Sequence, residues 1–261
     1  MKTQFACNFC GGKRFWKVRR NHLKCQRCRR EISPHLAGLR LSKSRWQKII
    51  QWFVLEQSSN KIQEQTTVSK HLVLKALLIL RQQMLLDIPS IFAGKIEVDE
   101  TYLGGRWKNK RLAVKAKSPR SKRGRGTLKQ PVFGILCRSG KVWAELIEGV
   151  ESEDLQPLIV KKVEKGSTIY SDTWRGYTGI AAKGYVHRLV EHRKEYVSRQ
   201  GNHINGLEGF WGYLKRKLAA KGGIRKSRLH LYLAEYVWRY NHRELNVNEQ
   251  VKHLLNLVAK I

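Results

Sequence analysis

Three carboxylates and four cysteines are the residues in this chain whose types and spacing could do chemistry. Asp99 lies inside an apolar, strand-like run beside Val98. Asp172 ends a second such run, Ile169-Tyr170-Ser171. Glu208 falls within a helical stripe of Ile204, Leu207, Trp211, Leu214 and Leu218, at +4 from Ile204 and −3 from Trp211, so it borders the apolar face. A buried, unpartnered carboxylate is expensive, and three that converge repel one another unless a cation neutralises them. Oxygen donors of this kind suit Mg²⁺, which keeps waters and substrate phosphates in its shell. The cysteines make a second pattern. Cys7-x-x-Cys10 and Cys25-x-x-Cys28, with 14 residues between the pairs, place two thiolates on each of two tight knuckles. Together they complete a four-sulfur site suited to one Zn²⁺. Gly11-Gly12 permits the first knuckle's turn. A pair of redox-active CxxC motifs is the alternative. Cys137 ends an apolar run and reads as an inert core residue.

The elements that must position these groups can be read from periodicity. Trp46, Ile49, Ile50, Phe53 and Val54 share one helical face, and Ser58-Ser59-Asn60 breaks that helix. A second helix is expected over 68–86, with Thr66 or Thr67 as its N-cap. Helix, break and helix in a basic context suggest a helix-turn-helix-like unit or a plain helical linker. Residues 96–103, 131–137 and 142–147 read as strands, the last two joined as a hairpin at Ser139-Gly140. A helix over 152–164, capped by Ser152, precedes short strands at 167–172 and 186–190, and helices follow at 203–220 and 228–241. Alternating strand and helix of this kind predicts an α/β fold with a mixed sheet. Glu97 and Glu100 are read as alternating with Asp99 and facing away from it, toward solvent or loop partners. Trp211 reads as core. Trp174 and Tyr177 read either as packing for the turn after Asp172 or as stacking partners for an unpaired base.

The charge limits the partners. With 52 Lys+Arg against 20 Asp+Glu, the formal net charge of the 261-residue chain is +32. Such a chain calls for a polyanion, and nucleic acid is the obvious one. The basic residues are clustered: fourteen in 1–50, eleven in 106–130 and seven in 211–230, against one acid, Glu31, in all three stretches. The 106–130 stretch reads as a long loop that orders on an anion. There is no run of 18 apolar residues, so no transmembrane helix is expected, and no secretory signal follows Met1-Lys2-Thr3-Gln4-Phe5. The expected setting is reducing, which favours thiolate metal ligands over disulfides.

Spacing and motif together resemble a known family. Asp172 and Glu208 are separated by 35 residues, and Lys215 follows Glu208 by seven, two turns along the same helical face. Val98-Asp99-Glu100-Thr101-Tyr102-Leu103-Gly104-Gly105 resembles a VDETYxGG strand. Ser171-Asp172-Thr173-Trp174-Arg175-Gly176-Tyr177 resembles an SDxWxGY turn. Residues 203–215, His203-Ile204-Asn205-Gly206-Leu207-Glu208-Gly209-Phe210-Trp211-Gly212-Tyr213-Leu214-Lys215, resemble an HxNxxExFWxxLK helix. These motifs, with the cysteine pairs ahead of them, are similar to those of DDE insertion-sequence transposases of the bacterial ISXO-like group. The resemblance spans nearly the whole chain.

The resemblance implies a ribonuclease H-like mixed-sheet catalytic core over 95–245, with the basic loop 106–130 inside it. A zinc ribbon (1–35) and a small helical, helix-turn-helix-like region (40–90) would precede it, and a helical tail (246–261) would follow. It implies a bacterial, cytoplasmic, nucleoid-associated enzyme that binds the terminal inverted repeats of an element, cleaves its ends and transfers 3′-hydroxyl ends to target DNA. Asp99, Asp172 and Glu208 would hold two Mg²⁺ or Mn²⁺ ions, and Lys215 would neutralise phosphate charge. Some members of the group use Asn as the third active-site residue. Asn205 is the alternative to Glu208, and otherwise orients a water or phosphate. Cys7, Cys10, Cys25 and Cys28 would hold one structural Zn²⁺. Lys108, Lys110, Arg111, Lys122, Arg123, Arg125, Arg216, Lys217 and Trp174 are candidate contacts to double-stranded DNA. Synapsis of two ends implies a homodimer or larger assembly. A catalytically silent zinc-ribbon DNA-binding protein and a ribonuclease H-like nuclease without strand transfer are the other readings.

Overall fold

The computed structural model describes residues 6, 7, 9–18, 22–32, 35–105, 112, 116, 127, 129–190 and 204–261. They divide into two compact units, 1–86 with 244–261, and 87–243. The expected DNA contacts Lys108, Lys110, Arg111, Lys122, Arg123 and Arg125, and His203, lie outside the described residues.

The first unit begins with an antiparallel three-stranded sheet of β1 (Phe15–Lys17), β2 (Leu23–Cys25) and β3 (Glu31–Ile32). The two cysteine knuckles share one turn. The Gly11 N–H donates to the Cys7 carbonyl at 2.8 Å, and the Arg29 N–H to the Cys25 carbonyl at 3.0 Å. Gly11 and Arg29, at φ 68° and 61°, both occupy the left-handed region. Glycine meets that demand in the first knuckle without steric cost, and arginine meets it in the second. After the ribbon come α1 (Lys43–Val54), α2 (Ser59–Thr66), α3 (Lys70–Leu86) and, from the end of the chain, α7 (Val247–Ala259). Trp46, Ile49, Ile50, Phe53 and Val54 are buried on α1, as their spacing predicts.

The expected break at 58–60 is instead the start of α2, because the Ser58 hydroxyl accepts the Lys61 N–H at 3.2 Å and caps a new helix. Thr66 and Thr67 end α2 rather than cap the next helix: the Thr66 hydroxyl donates back to the Ile62 carbonyl, and Thr67 turns left-handed.

The second unit is built on a five-stranded sheet of β4 (Lys95–Leu103), β5 (Gln130–Cys137), β6 (Val142–Leu146), β7 (Thr168–Ser171) and β8 (Val186–Leu189). Its strand order is β6-β5-β4-β7-β8. β5 runs antiparallel to β4 and β6, while β7 is parallel to β4 and β8 parallel to β7. This is the ribonuclease H-like arrangement, with β4 at its centre. Helices α4 (Ser152–Lys162), α5 (Asn205–Ala219) and α6 (Leu229–Asn241) complete it. At the start of α4, the Asp154 carboxylate accepts the Glu151 N–H at 3.2 Å, so the helix is entered one residue before the expected cap at Ser152.

Alternation along the strands sends apolar side chains to two faces. Val98, Phe133, Ile135, Leu155 and Ile159 pack together on the α4 side. Val132, Leu136, Leu207, Phe210, Trp211 and Leu214 pack on the α5 and α6 side. Cys137 is a core residue, its thiol donating to the Ala93 carbonyl. Among the described residues, no helix is long and apolar enough to cross a membrane.

Candidate active site

Asp99 sits on β4 and Asp172 directly after β7, its parallel neighbour. The central pair of parallel strands therefore delivers both aspartates to one region. Burial, with the carboxylates of Glu100 and Asp172 beside it, pushes the Asp99 carboxyl up to about 7. That direction is the mark of negative groups held together out of water. The Trp211 indole N–H on α5 donates to Asp99 Oδ2 at 3.0 Å and fixes the carboxylate from the other layer. This approach depends on Gly134 in β5. A Cβ there would lie 2.5 Å from the Trp211 ring.

The turn after β7 is organised around Asp172. Its Oδ1 accepts the Trp174 N–H at 2.9 Å, and the Ser171 hydroxyl donates to its backbone carbonyl. The Trp174 indole N–H donates to the Val150 carbonyl at 2.8 Å, so the ring is anchored into the packing of this turn, with the Arg175 guanidinium 5.3 Å from its centroid. Tyr177, fully buried, donates its phenol to Glu100 Oε2 at 2.7 Å. This bond ties the Asp172 turn to the Asp99 strand.

Asn205 and Glu208 stand on the first turn of α5 and are exposed. Among the described residues, the carboxylate oxygens of Asp99, Asp172 and Glu208 do not form a group lying within 4.8 Å of one another, whereas the four cysteine sulfurs do. The structure thus brings the two aspartates to neighbouring strands, and Asn205 and Glu208 lie exposed on the first turn of α5. Lys215, two turns along α5, is close enough to Asp99 to feel its charge. Burial lowers its pKa, the Asp99 carboxylate opposes the shift, and the ammonium of Lys129 adds to it. Arg216 and Lys217 follow in the last turns of α5.

Sequence reasoning missed four residues here. Lys129 stands beside Lys215. Trp211 is core, as expected, yet also holds Asp99. Glu100 lies on the other side of β4 from Asp99, partly buried, and the partner it meets is Tyr177 of the turn after β7. Glu97 does not face away from Asp99. Residues two apart on a strand share a face, and Glu97 is 1% exposed, with its carboxylate against α5. Correct parity counting would have found it.

The thiols form the second site. Cys7 and Cys28 sulfurs are 3.5 Å apart, Cys10 and Cys25 sulfurs 3.6 Å apart. A tetrahedral zinc with sulfurs at about 2.3 Å sets them about 3.8 Å apart. Gly12 leaves room for the thiols, since a Cβ would lie 3.2 Å from Cys25 Sγ and 3.4 Å from Cys10 Sγ.

The chain is similar to several known proteins. An uncharacterized transposase-like protein of Haemophilus influenzae is 35% identical over 118 residues, covering 45% of this chain and 94% of that protein. The catalytic core domain of BIV integrase matches with 14% identity and a TM-score of 0.39, over 63% of this chain and 95% of that one. A pre-cleavage Mos1 transpososome matches with 11% identity and a TM-score of 0.28, over 89% of this chain and 83% of that one. The model of the ISXO2-like transposase domain matches residues 91–241, more than half of the chain and all five strands of the larger sheet. The chain therefore belongs to the ISXO2-like transposase domain family.

Proposed function

We propose that this protein is a DNA transposase that binds the terminal inverted repeats of an insertion sequence, cleaves the element ends and joins the 3′-hydroxyl ends to target DNA. The observation that carries the reading is the pairing of Asp99 and Asp172 at the centre of the sheet, with Lys215 and Lys129 beside them, in a chain of net charge +32. Acidic groups held together in so basic a protein make sense as a cation site facing a phosphate.

The donor set fits Mg²⁺ or Mn²⁺: the oxygens are hard, and burial, with the carboxylates of Glu100 and Asp172 beside it, disfavours the Asp99 charge, a cost that a cation would offset. Asp99, Asp172 and Glu208, with Asn205 as the alternative third ligand, would hold two such ions. When bound, the ions supply Lewis-acid activation of a nucleophile and stabilisation of a leaving oxygen in displacement at phosphorus. The chain's own residues do the rest. Trp211 holds one Asp99 oxygen and so orients the carboxylate. Tyr177 holds the Asp172 turn against β4. Lys215 and Lys129 counter the charge of the phosphate being attacked or of its neighbour. No serine or tyrosine nucleophile is required.

The four thiols fit a structural Zn²⁺, and the ribbon and helices of the first unit would read the element ends. Arg216 and Lys217, the basic stretch 106–130 and the Arg175-topped Trp174 would grip the DNA along its backbone. A synaptic complex of two ends would need at least a dimer.

The test is cleavage and joining of labelled element-end DNA with Mg²⁺ or Mn²⁺, using the intact protein and Asp172→Asn. Metal-dependent nicking with joined products, lost in the variant by more than about 100-fold, supports the proposal; even residues behind a metal ligand cost 10–100-fold. End binding without cleavage would favour a silent DNA-binding protein, and cleavage without joining a nuclease. Glu208→Gln and Asn205→Ala, measured separately, assign the third position.

A further inference from the structure

We infer that Glu97 is a positioning residue that sets the first turn of α5 against the strand bearing Asp99. The inference rests on the transposase reading above.

Four observations meet at this carboxylate. Its Oε2 accepts the Leu207 N–H at 2.9 Å. Leu207 is the third residue of α5, and the cap residue, Ile204, has no side-chain oxygen to offer. The first N–H groups of a helix need acceptors, which a cap side chain commonly supplies. Here a carboxylate from another element supplies one, with the helix dipole favouring its negative charge. Second, Gly206 makes room for it: a Cβ there would lie 3.0 Å from Oε2 and 3.4 Å from Oε1. Third, Oε1 accepts the Arg138 Nε–H at 3.0 Å. Fourth, that guanidinium lies 3.9 Å from the Tyr170 ring centroid. Tyr170 is on β7 two residues before Asp172, and it clusters with Val190 and with Ile204, the residue ahead of α5.

The three segments that carry the proposed metal-holding residues therefore converge on one carboxylate. β4 brings Asp99, α5 brings Asn205 and Glu208, and β7, through Arg138 and Tyr170, brings Asp172. A buried ion pair is weak evidence for stability, because well-packed apolar residues of similar volume often stabilise as much or more. What apolar residues do not give is a directional acceptor for the Leu207 N–H. Glu97 thus fixes where the first turn of α5 begins, and with it the distance from Glu208 or Asn205 to Asp99.

Two variants test this. Gly206→Ala leaves every charge in place and favours the helix, but its methyl group crowds the Glu97 carboxylate and the end of the Leu136 side chain. Glu97→Met/Arg138→Met removes both charges together, so no ion is left buried alone. For each, Mn²⁺ affinity is measured by titration calorimetry, exchange of the Leu207 amide by NMR without metal, and end-DNA cleavage against Mn²⁺ concentration. Faster Leu207 exchange and Mn²⁺ binding weaker by about 10–100-fold, the range for residues that orient metal ligands, with end-DNA binding unchanged, are the expected results. Mn²⁺ affinity and cleavage within twofold of wild type in either variant, when it is folded, would overturn the inference and leave Glu97 a structural ion pair. A wild-type protein that neither binds Mn²⁺ nor cleaves would instead overturn the underlying reading.

Discussion

The two candidate metal sites are held together in opposite ways. The four thiols are gathered by local backbone: two four-residue knuckles, two left-handed residues at Gly11 and Arg29, and a three-stranded sheet with strands of two or three residues. Among the described residues, the apolar cluster around them consists of the cysteines themselves and Phe15. The carboxylates are gathered at long range. Asp99 is fixed from residue 211, Glu100 from residue 177, and the helix bearing Glu208 from Glu97, 110 positions earlier than its partner Leu207. One site is a small ring of equal members, and the other is a set of separate ties. The first should fail as a whole, the second by increments.

The largest effect is therefore expected in the ribbon. A structural zinc contributes about 10–16 kcal/mol of apparent binding free energy in zinc-finger peptides, and that energy is folding energy. Cys25→Ser, or exhaustive chelation of the wild type, should abolish amide protection across β1–β3. Protection in the five-stranded sheet should remain, since its apolar faces bury residues such as Phe133 and Phe210 completely. Hydrogen exchange followed by mass spectrometry checks both halves at once. A ribbon that stays protected without zinc would remove the distinction between the two sites.

An intermediate effect is expected at Gly134. Its alanine variant places a methyl group 2.5 Å from the Trp211 ring, within the packed α5 layer. Overpacking of this kind costs about 1–3 kcal/mol, and the ring that yields is the one donating to Asp99. Gly134→Ala should lower the unfolding midpoint and weaken metal-dependent cleavage together. Trp211→Phe, which keeps most of the packing and deletes the N–H, should weaken cleavage with a smaller loss of stability. Denaturant unfolding and cleavage rates on the same preparations separate the two.

The same contrast explains what the sequence could and could not disclose. The thiol site was legible because two CxxC pairs state their own geometry. Asp99 and Asp172 were legible because a carboxylate in an apolar run is an anomaly wherever it occurs. The strands at 96–103, 131–137 and 142–147 stood out because alternation and the Ser139-Gly140 turn are local signals. The ties were not legible. Nothing in Trp211 distinguishes an indole that only packs from one that also donates to Asp99. Nothing in Gly134 or Gly206 announces which side chain needs the space. Glu97 was within reach, since its parity with Asp99 is arithmetic, but its partners Arg138 and Leu207 are set by β5 and α5 packing on β4. Helix α2 was missed for a local reason: Ser58 reads equally as a breaker and as a cap.

The smallest effect, and the finest test of the incremental picture, is expected at Tyr177. The phenol donates to Glu100 Oε2 at 2.7 Å, and the ring is fully buried in the core on the α4 side. Burial, with the Glu100 carboxylate next to it, holds the phenol well above its usual pKa, so it stays a donor throughout the working range. Tyr177→Phe keeps the ring and removes one hydrogen bond. Glu100 is only partly buried, so water can replace the lost donor. A net loss of about 0.5–1.5 kcal/mol is expected by denaturant unfolding. The Asp172 turn keeps its other bonds, among them those from the Trp174 N–H to Asp172, from the Ser171 hydroxyl to the Asp172 carbonyl and from the Trp174 indole to Val150. Cleavage should therefore fall less in Tyr177→Phe than in Gly134→Ala, while both variants remain metal-dependent. Complete inactivation by this one oxygen would show that the carboxylate site, like the thiol ring, stands or falls as a unit.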